Sequence, residues 1–213
     1  MIAIIDYGAG NLTSVRLAFE ALNSNAEITD SRERILSAER VVFPGVGAAG
    51  AAMRTLESRG LIDTIRQIMD RQTPFLGICL GTQIVFERSE EDGGVNGIGL
   101  IPGIVRRFQP SDPFDKVPHM GWNSVAQRKP EQDANGKHPM FDGIDDNSEF
   151  YFVHSYYPEP ADVACILGET DFAGVRFASI IGKDSLVATQ FHPEKSGRVG
   201  LRFLKNFVNW KRG

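Results

Sequence analysis

The chain has 213 residues, with 42% hydrophobic and 23% charged residues and a formal net charge of -4. That size and balance predict one soluble α/β domain spanning 1–213, large enough to bury a core. The mild acidity argues against a nucleic-acid or anionic-membrane surface, and only two cysteines, Cys79 and Cys165, exclude a disulfide framework.

The first element is a short apolar strand over 2–5, too short and lacking the basic flank of a signal peptide. A turn follows at Asp6-Tyr7-Gly8-Ala9-Gly10. Leu12, Val15, Phe19 and Leu22 then recur at helical spacing. A second strand is expected at 26–29, and Ser31 is placed to cap a short helix through Ala38. Val41-Val42-Phe43 reads as a buried third strand that Pro44 stops. Helical patterns follow at 53–56 and 61–69. The alternation to residue 88 predicts a parallel sheet with helices on both faces. Beyond it, Glu90 to Gly97 marks a loop. Strand-like runs then dominate at 104–108, 149–156, 164–167, 172–181 and 186–191, several of them expected to be antiparallel. The polar run 130–139 reads as a surface loop. Val199, Phe203, Phe207 and Trp210 predict a closing helix. The second half is thus a β-rich addition to the same domain.

The chemistry concentrates in Phe75-Leu76-Gly77-Ile78-Cys79-Leu80-Gly81-Thr82-Gln83. A strand ending in Gly-x-Cys-x-Gly before a helical segment through Glu87 has the form of a nucleophile elbow. The glycines permit close approach, and the nucleophile sits in a strained turn. The following helix would aim its N-terminal N–H groups at the sulfur, which favours a reactive thiolate. A base is needed, and His192 ends the strand-like run through Phe191, stopped by Pro193. Glu194 lies two positions on, the same side in extended backbone, where a carboxylate fixes the imidazole tautomer. Cys79, His192 and Glu194 are therefore the expected nucleophile, base and orienter. Leu80 N–H is the natural first oxyanion donor. The Pro44-Gly45-Val46-Gly47 loop, an ordinary tight turn if taken alone, supplies the second through Val46 or Gly47 beside such a triad. Cys165 reads as packing, His138 as a loop residue and His154 as a satisfied structural group. No His/Cys pair has metal-site spacing, so no metal and no cofactor are expected. Gly8-x-Gly10 lacks the rest of a dinucleotide fingerprint.

Gly77-Ile78-Cys79-Leu80-Gly81-Thr82-Gln83 together with Phe191-His192-Pro193-Glu194 resembles the triad-type (class I) glutamine amidotransferases. Within them, Ile4-Ile5-Asp6-Tyr7-Gly8-Ala9-Gly10-Asn11, Phe43-Pro44-Gly45-Val46-Gly47, His119-Met120-Gly121-Trp122-Asn123 and Tyr151-Phe152-Val153-His154-Ser155-Tyr156 are similar to the glutaminase subunits of imidazole glycerol phosphate synthases. The resemblance spans essentially the whole chain, with no departure at a catalytic position. It implies a three-layer, flavodoxin-like α/β fold with a mixed, mostly parallel sheet. It implies hydrolysis of glutamine to glutamate and ammonia through a γ-glutamyl thioester. Gly45, Gln83, Ser155 and Tyr156 would be the substrate contacts; Glu87 is either a surface helix residue or a further contact. The implied partner is a (βα)8-barrel cyclase subunit that takes the ammonia and forms imidazole glycerol phosphate and AICAR in histidine biosynthesis, in the cytoplasm. Asn11, Trp122 and Lys195 are the interface candidates. Trp122, read as a loop residue, is either core or an exposed anchor. Another pathway's class I amidotransferase or a γ-glutamyl thiol hydrolase is the alternative.

Overall fold

The computed structural model describes residues 1–8, 10–112, 114–128 and 138–210. Most of the 130–139 run lies outside the described residues; only its end, His138 and Pro139, is within them. The first half alternates strand and helix: β1 (Ile2–Ile5), α1 (Leu12–Glu20), β2 (Ala26–Thr29), α2 (Arg32–Leu36), β3 (Arg40–Phe43), α3 (Ala49–Ser58), α4 (Leu61–Asp70), β4 (Phe75–Ile78) and α5 (Leu80–Ile84). The rest is mostly β: β5 (Phe86–Ser89), β6 (Val95–Asn96), β7 (Ile101–Arg107), β8 (His119–Gln127), β9 (Ser148–His154), β10 (Tyr156–Pro160), β11 (Ile166–Phe172), β12 (Val175–Lys183) and β13 (Leu186–Thr189), before α6 (Gly197–Asn209).

Among the described residues a nine-stranded sheet runs β2-β1-β3-β4-β13-β12-β11-β8-β9. The five strands from β2 to β13 are parallel, and β12, β11, β8 and β9 continue antiparallel. The period of two along each parallel strand sorts side chains between two apolar layers. Ile2, Ile4, Val42, Leu76 and Ile78 pack with Val15 and Phe19 of α1 and Phe203 and Phe207 of α6. Ala3, Ile5, Val41, Phe43 and Phe75 face the other way, onto Ile35, Leu56, Ile65 and Ile68 of α2, α3 and α4. Ser31 caps α2 through its side chain, accepting from Arg34 N–H.

Five expectations are corrected. A second, four-stranded sheet, β10-β7-β5-β6, stands beside the main one. Its strands are short, two of them edges, and the pairing of β5 with β7 joins segments that no local pattern links. The elbow helix is only five residues long, because the chain extends again at Phe86 to form β5. Glu87 therefore lies, exposed as expected, on a strand rather than a helix, and its carboxylate accepts from Gly103 N–H at 2.9 Å. Trp122 is on strand β8, 55% exposed, rather than in a loop. The segment around Cys165 is a 3-10 turn, with the cysteine buried as expected.

Candidate active site

The site forms at the carboxyl ends of β3, β4 and β13, where the parallel strands stop and their loops converge. Cys79 follows β4 with φ 52° and ψ −101°, an unfavourable region for a residue with a Cβ. Backbone bonds hold it there. Its N–H donates to Thr189 O of β13 at 2.7 Å, and its own carbonyl accepts from Thr82 N–H at 3.0 Å and Gln83 N–H at 3.3 Å. The sulfur is buried, 3.8 Å from Val153 O, and accepts from Gln190 Nε2 at 3.6 Å.

His192 is fixed by its backbone as well as its ring. Its N–H donates to Tyr151 O at 2.9 Å, and Ser196 Oγ donates to its carbonyl at 2.6 Å. Nδ1 lies 2.8 Å from Glu194 Oε1, and both side chains are almost wholly shielded from solvent. A carboxylate oxygen only accepts, so Nδ1 carries a proton and Nε2 faces the reaction. Nε2 has no hydrogen bond of regular geometry. Burial works against the imidazolium, but the Cys79 sulfur and the Glu194 carboxylate outweigh it and raise the ring pKa to about 10. Glu194 Oε1 also accepts from Asn11 Nδ2 at 2.9 Å. Asn11, at the start of α1 with φ 70°, thus ties the first β–α turn to the triad.

A sign follows for stability. The folded state holds the His192 proton more tightly than the unfolded chain, so its contribution is full below pH ~6.5 and is lost as pH rises toward ~10. Chemical denaturation of the wild type between pH 6 and pH 10 should therefore lose stability more steeply than that of His192→Asn. Parallel profiles would contradict the assignment of the proton.

The two backbone segments expected to receive an oxyanion are bonded to each other. Leu80 N–H donates to Gly45 O at 3.4 Å. A carbonyl therefore stands where an oxyanion would be received. Gly45 has no room to carry a side chain: a Cβ would lie 2.5 Å from Tyr7 Oη and 2.8 Å from Leu80 Cβ. Gly47, at φ 112°, occupies backbone space that favours glycine.

A cavity of about 290 Å³ opens over Cys79 and is lined by Val46, Gly47, Leu80, Gln83, Ser155 and Tyr156, with Glu91 as its carboxylate. The expected contacts Gln83, Ser155 and Tyr156 are thus brought together with the nucleophile. Gly45 lies behind the lining. Glu91 escaped sequence reading because Glu90-Glu91-Asp92 has the composition of a solvated loop. In the fold, Glu91 Oε2 accepts from Ala49 N–H at 2.6 Å at the start of α3. Burial raises its pKa and that hydrogen bond partly offsets the rise. Gln190 was missed too, although its place two residues before His192 on an otherwise apolar run was a usable signal. Trp122 and Lys195 meet at the surface around Tyr151: the Trp122 ring centroid is 6.3 Å from that of Tyr151, and Lys195 Nζ stands 6.0 Å over the same ring. Among the described residues no group of His, Cys, Asp and Glu is arranged to hold a metal, and no helix is long and apolar enough to cross a membrane.

A buried thiol at a strained elbow, a carboxylate-oriented histidine and a cavity with one carboxylate define a thiol-dependent amidohydrolase on an open α/β sheet. The sequence model for "Glutamine amidotransferase class-I" matches residues 3–210, and the chain belongs to that family. Within it, the imidazole glycerol phosphate synthase subunit HisH of Methanocaldococcus jannaschii is 50% identical over 208 residues, 98% of each chain. The HisH subunit of Aromatoleum aromaticum is 48% identical over 217 residues, again 98% of each. The fold is shared with the glutaminase domain of Trypanosoma brucei CTPS, at TM-score 0.65 and 17% identity over 100% of this chain and 95% of that one.

Proposed function

We propose that the chain is the glutaminase subunit of an imidazole glycerol phosphate synthase, releasing ammonia from glutamine for a cyclase subunit in histidine biosynthesis. The observation that carries the chemistry is that Cys79 lines the cavity while its sulfur and the Glu194 carboxylate both act on the His192 ring. Cys79 Sγ attacks the side-chain carboxamide carbon. The C=O π pair moves to oxygen, and the tetrahedral adduct collapses as His192 passes a proton to the leaving ammonia. His192 then takes a proton from water, which attacks the γ-glutamyl thioester and releases glutamate and the free thiol. Glu194, braced by Asn11, keeps Nε2 directed at the reacting atoms.

Glu91 is the group in the cavity that can meet the glutamine α-ammonium as an ion pair. The Ser155–Tyr156 backbone borders the α-carboxylate side. Leu80 and Val46 N–H groups are the oxyanion donors, and a turn of the Gly45–Val46 peptide would replace the Gly45 carbonyl with the Val46 N–H. The Gly45 carbonyl on Leu80 N–H makes this the resting arrangement. Losing one such donor costs roughly 2.7–4 kcal/mol of transition-state stabilisation, or 10²–10³ in rate. Trp122 and Lys195, grouped on Tyr151, form the surface offered to the cyclase, whose ammonia acceptance keeps the product from protonation in water.

The test is direct. The chain alone should hydrolyse glutamine slowly. Mixing it with the cyclase subunit and that subunit's nucleotide substrate should raise kcat by roughly 10²-fold or more, the size of a missing oxyanion donor, and produce imidazole glycerol phosphate in step with glutamate. Full turnover by the isolated chain would overturn the resting-state reading. Activation without cyclised product would overturn the pathway.

A further inference from the structure

Two buried histidines have no step in the chemistry above, although His154 borders the cavity, and both are fully engaged. His154 ends β9 and His119 begins β8, opposite it in the antiparallel register. His119 Nδ1 and His154 Nε2 are 3.0 Å apart, His154 Nδ1 is 2.8 Å from Tyr156 O, and Asn123 Nδ2 is 3.2 Å from His119 Nε2. Asn123 Nδ2 also donates to Asp171 O at 3.0 Å, and its Oδ1 accepts from Ser124 N–H at 2.8 Å.

Every proton in this row has one allowed place. The Tyr156 carbonyl can only accept, so His154 Nδ1 carries hydrogen. A neutral His154 then has Nε2 as acceptor, which requires hydrogen on His119 Nδ1. His119 Nε2 is left as acceptor for the Asn123 amide. The same Tyr156 carbonyl accepts from Gln83 Nε2 at 3.0 Å, Gln83 Nε2 also donates to Gln190 Oε1 at 3.1 Å, and Gln190 Nε2 donates to Cys79 Sγ. One carbonyl thus orients two arms, one to β8 and one to the nucleophile.

We infer that His119, His154 and Asn123 are positioning residues for glutamine binding: a neutral, one-directional relay that pins the Tyr156 carbonyl and, through it, the Ser155–Tyr156 backbone and Gln83 at the substrate cavity. This rests on the glutaminase reading and deepens it. The surroundings hold both rings neutral. Phe108, Phe152, Phe172 and Phe177 surround His119, with centroids 4.0–6.5 Å away. Burial lowers His119 to about 4 and His154 to about 3, the latter also disfavoured by the charges of His119 and His192. The Asp171–Arg176 ion pair at the β11–β12 turn is exposed and joins the relay only through the Asp171 backbone, while the His192–Glu194 pair acts on His154 through the His192 charge. A second proton has no acceptor: His154 Nε2–H would point at His119 Nδ1–H.

Asn123→Asp reverses the end of the relay. The carboxylate can only accept, so His119 must hold hydrogen on both nitrogens to keep donating to His154. Two measurements decide the matter. In the wild type, ¹⁵N–¹H correlation of the imidazoles should show both rings as neutral Nδ1–H tautomers at pH 7; an Nε2–H tautomer in either overturns the inference without reference to activity. In the complex with the cyclase subunit, the glutamine KM of Asn123→Asp relative to wild type should be near 1 at pH 6. It should climb to roughly five- to ten-fold by pH 8.5, the worth of about one hydrogen bond, with kcat within about two-fold at each pH. Asn123→Leu, which neither donates nor accepts, should raise KM equally at all pH values. A pH-independent ratio for Asn123→Asp, or a fall in kcat alone, overturns the relay. A wild-type complex without glutaminase activity would instead overturn the functional reading and leave the tautomer test standing.

Discussion

Cys79→Ala will abolish glutamine-dependent synthesis, a loss of roughly 10⁴-fold or more, because Cys79 is the one thiol lining the cavity. Gln83, Glu91, Ser155 and Tyr156 stay in place, so glutamine should still bind, with a Kd close to that of the wild type. The variant chain should also still assemble with a cyclase subunit, since the proposed docking surface of Trp122, Tyr151 and Lys195 is untouched. Synthesis supplied with ammonium salt at high pH should therefore survive. Two assays on one preparation, with glutamine and then with ammonia, separate loss of chemistry from loss of structure. Retained glutamine-dependent turnover in Cys79→Ala would remove the thioester mechanism. Loss of ammonia-dependent synthesis would mean that the elbow also holds the assembly together.

Gly81→Ala carries the largest expected loss of stability. A Cβ on Gly81 would lie 2.1 Å from Phe43 O, backbone of β3, and 3.0 Å from the Phe43 ring. Neither can retreat. Phe43 is fully buried, its ring is stacked on Tyr7 at 4.6 Å, and its strand is paired to β1 and β4. Gly77 is locked in the same contact, since a Cβ there would sit 2.8 Å from Gly81 O. The methyl must force α5 off the sheet, at a cost of about 3 kcal/mol or more. Moving α5 also displaces Leu80 and Cys79, so activity should fall with stability. Gly10→Ala, whose Cβ would meet Val46 Cγ2 at an ordinary 3.8 Å, is the matched control. Denaturant midpoints of the two variants test the contrast. Equal, small shifts would mean that the elbow packs less tightly than its backbone distances require.

How much was legible follows from where each signal lived. The parallel half declared itself through local alternation, since Ile2 to Ile5 and Phe75 to Ile78 are buried on both faces and read as unbroken apolar runs. The triad was legible because Gly and Pro punctuate it: Gly77 and Gly81 around Cys79, Pro193 after His192. The second sheet was not, because β5 and β6 are short, and the sheet is completed only when β5 pairs with β7 and β7 with β10, later in the chain. Nor was the end of the elbow helix, where Gln83 to Glu87 suits a helix locally but the pairing of Phe86 with Ile101 draws the chain into a strand. Glu91 was hidden by its acidic neighbours, and Asn11 by a motif that marked it without saying what its amide would do.

The sequence by itself marked Cys79, His192 and Glu194 as the candidate nucleophile, base and orienter, because an elbow and a strand-end histidine with a carboxylate two residues on are local patterns. It also determined the α/β class and the family. Only the tertiary structure decided the state of the site. Leu80 and Gly45 are 35 positions apart in the chain, yet their N–H and C=O meet beside Cys79, at the proposed oxyanion position. Asn11 reaches Glu194 across 183 positions, and Asn123, His119 and His154 align into one row only because β8 and β9 pair in that register. Hydrogen-bond direction depends on which acceptor faces which donor, and that is set by packing between distant segments, which no window of neighbouring residues contains.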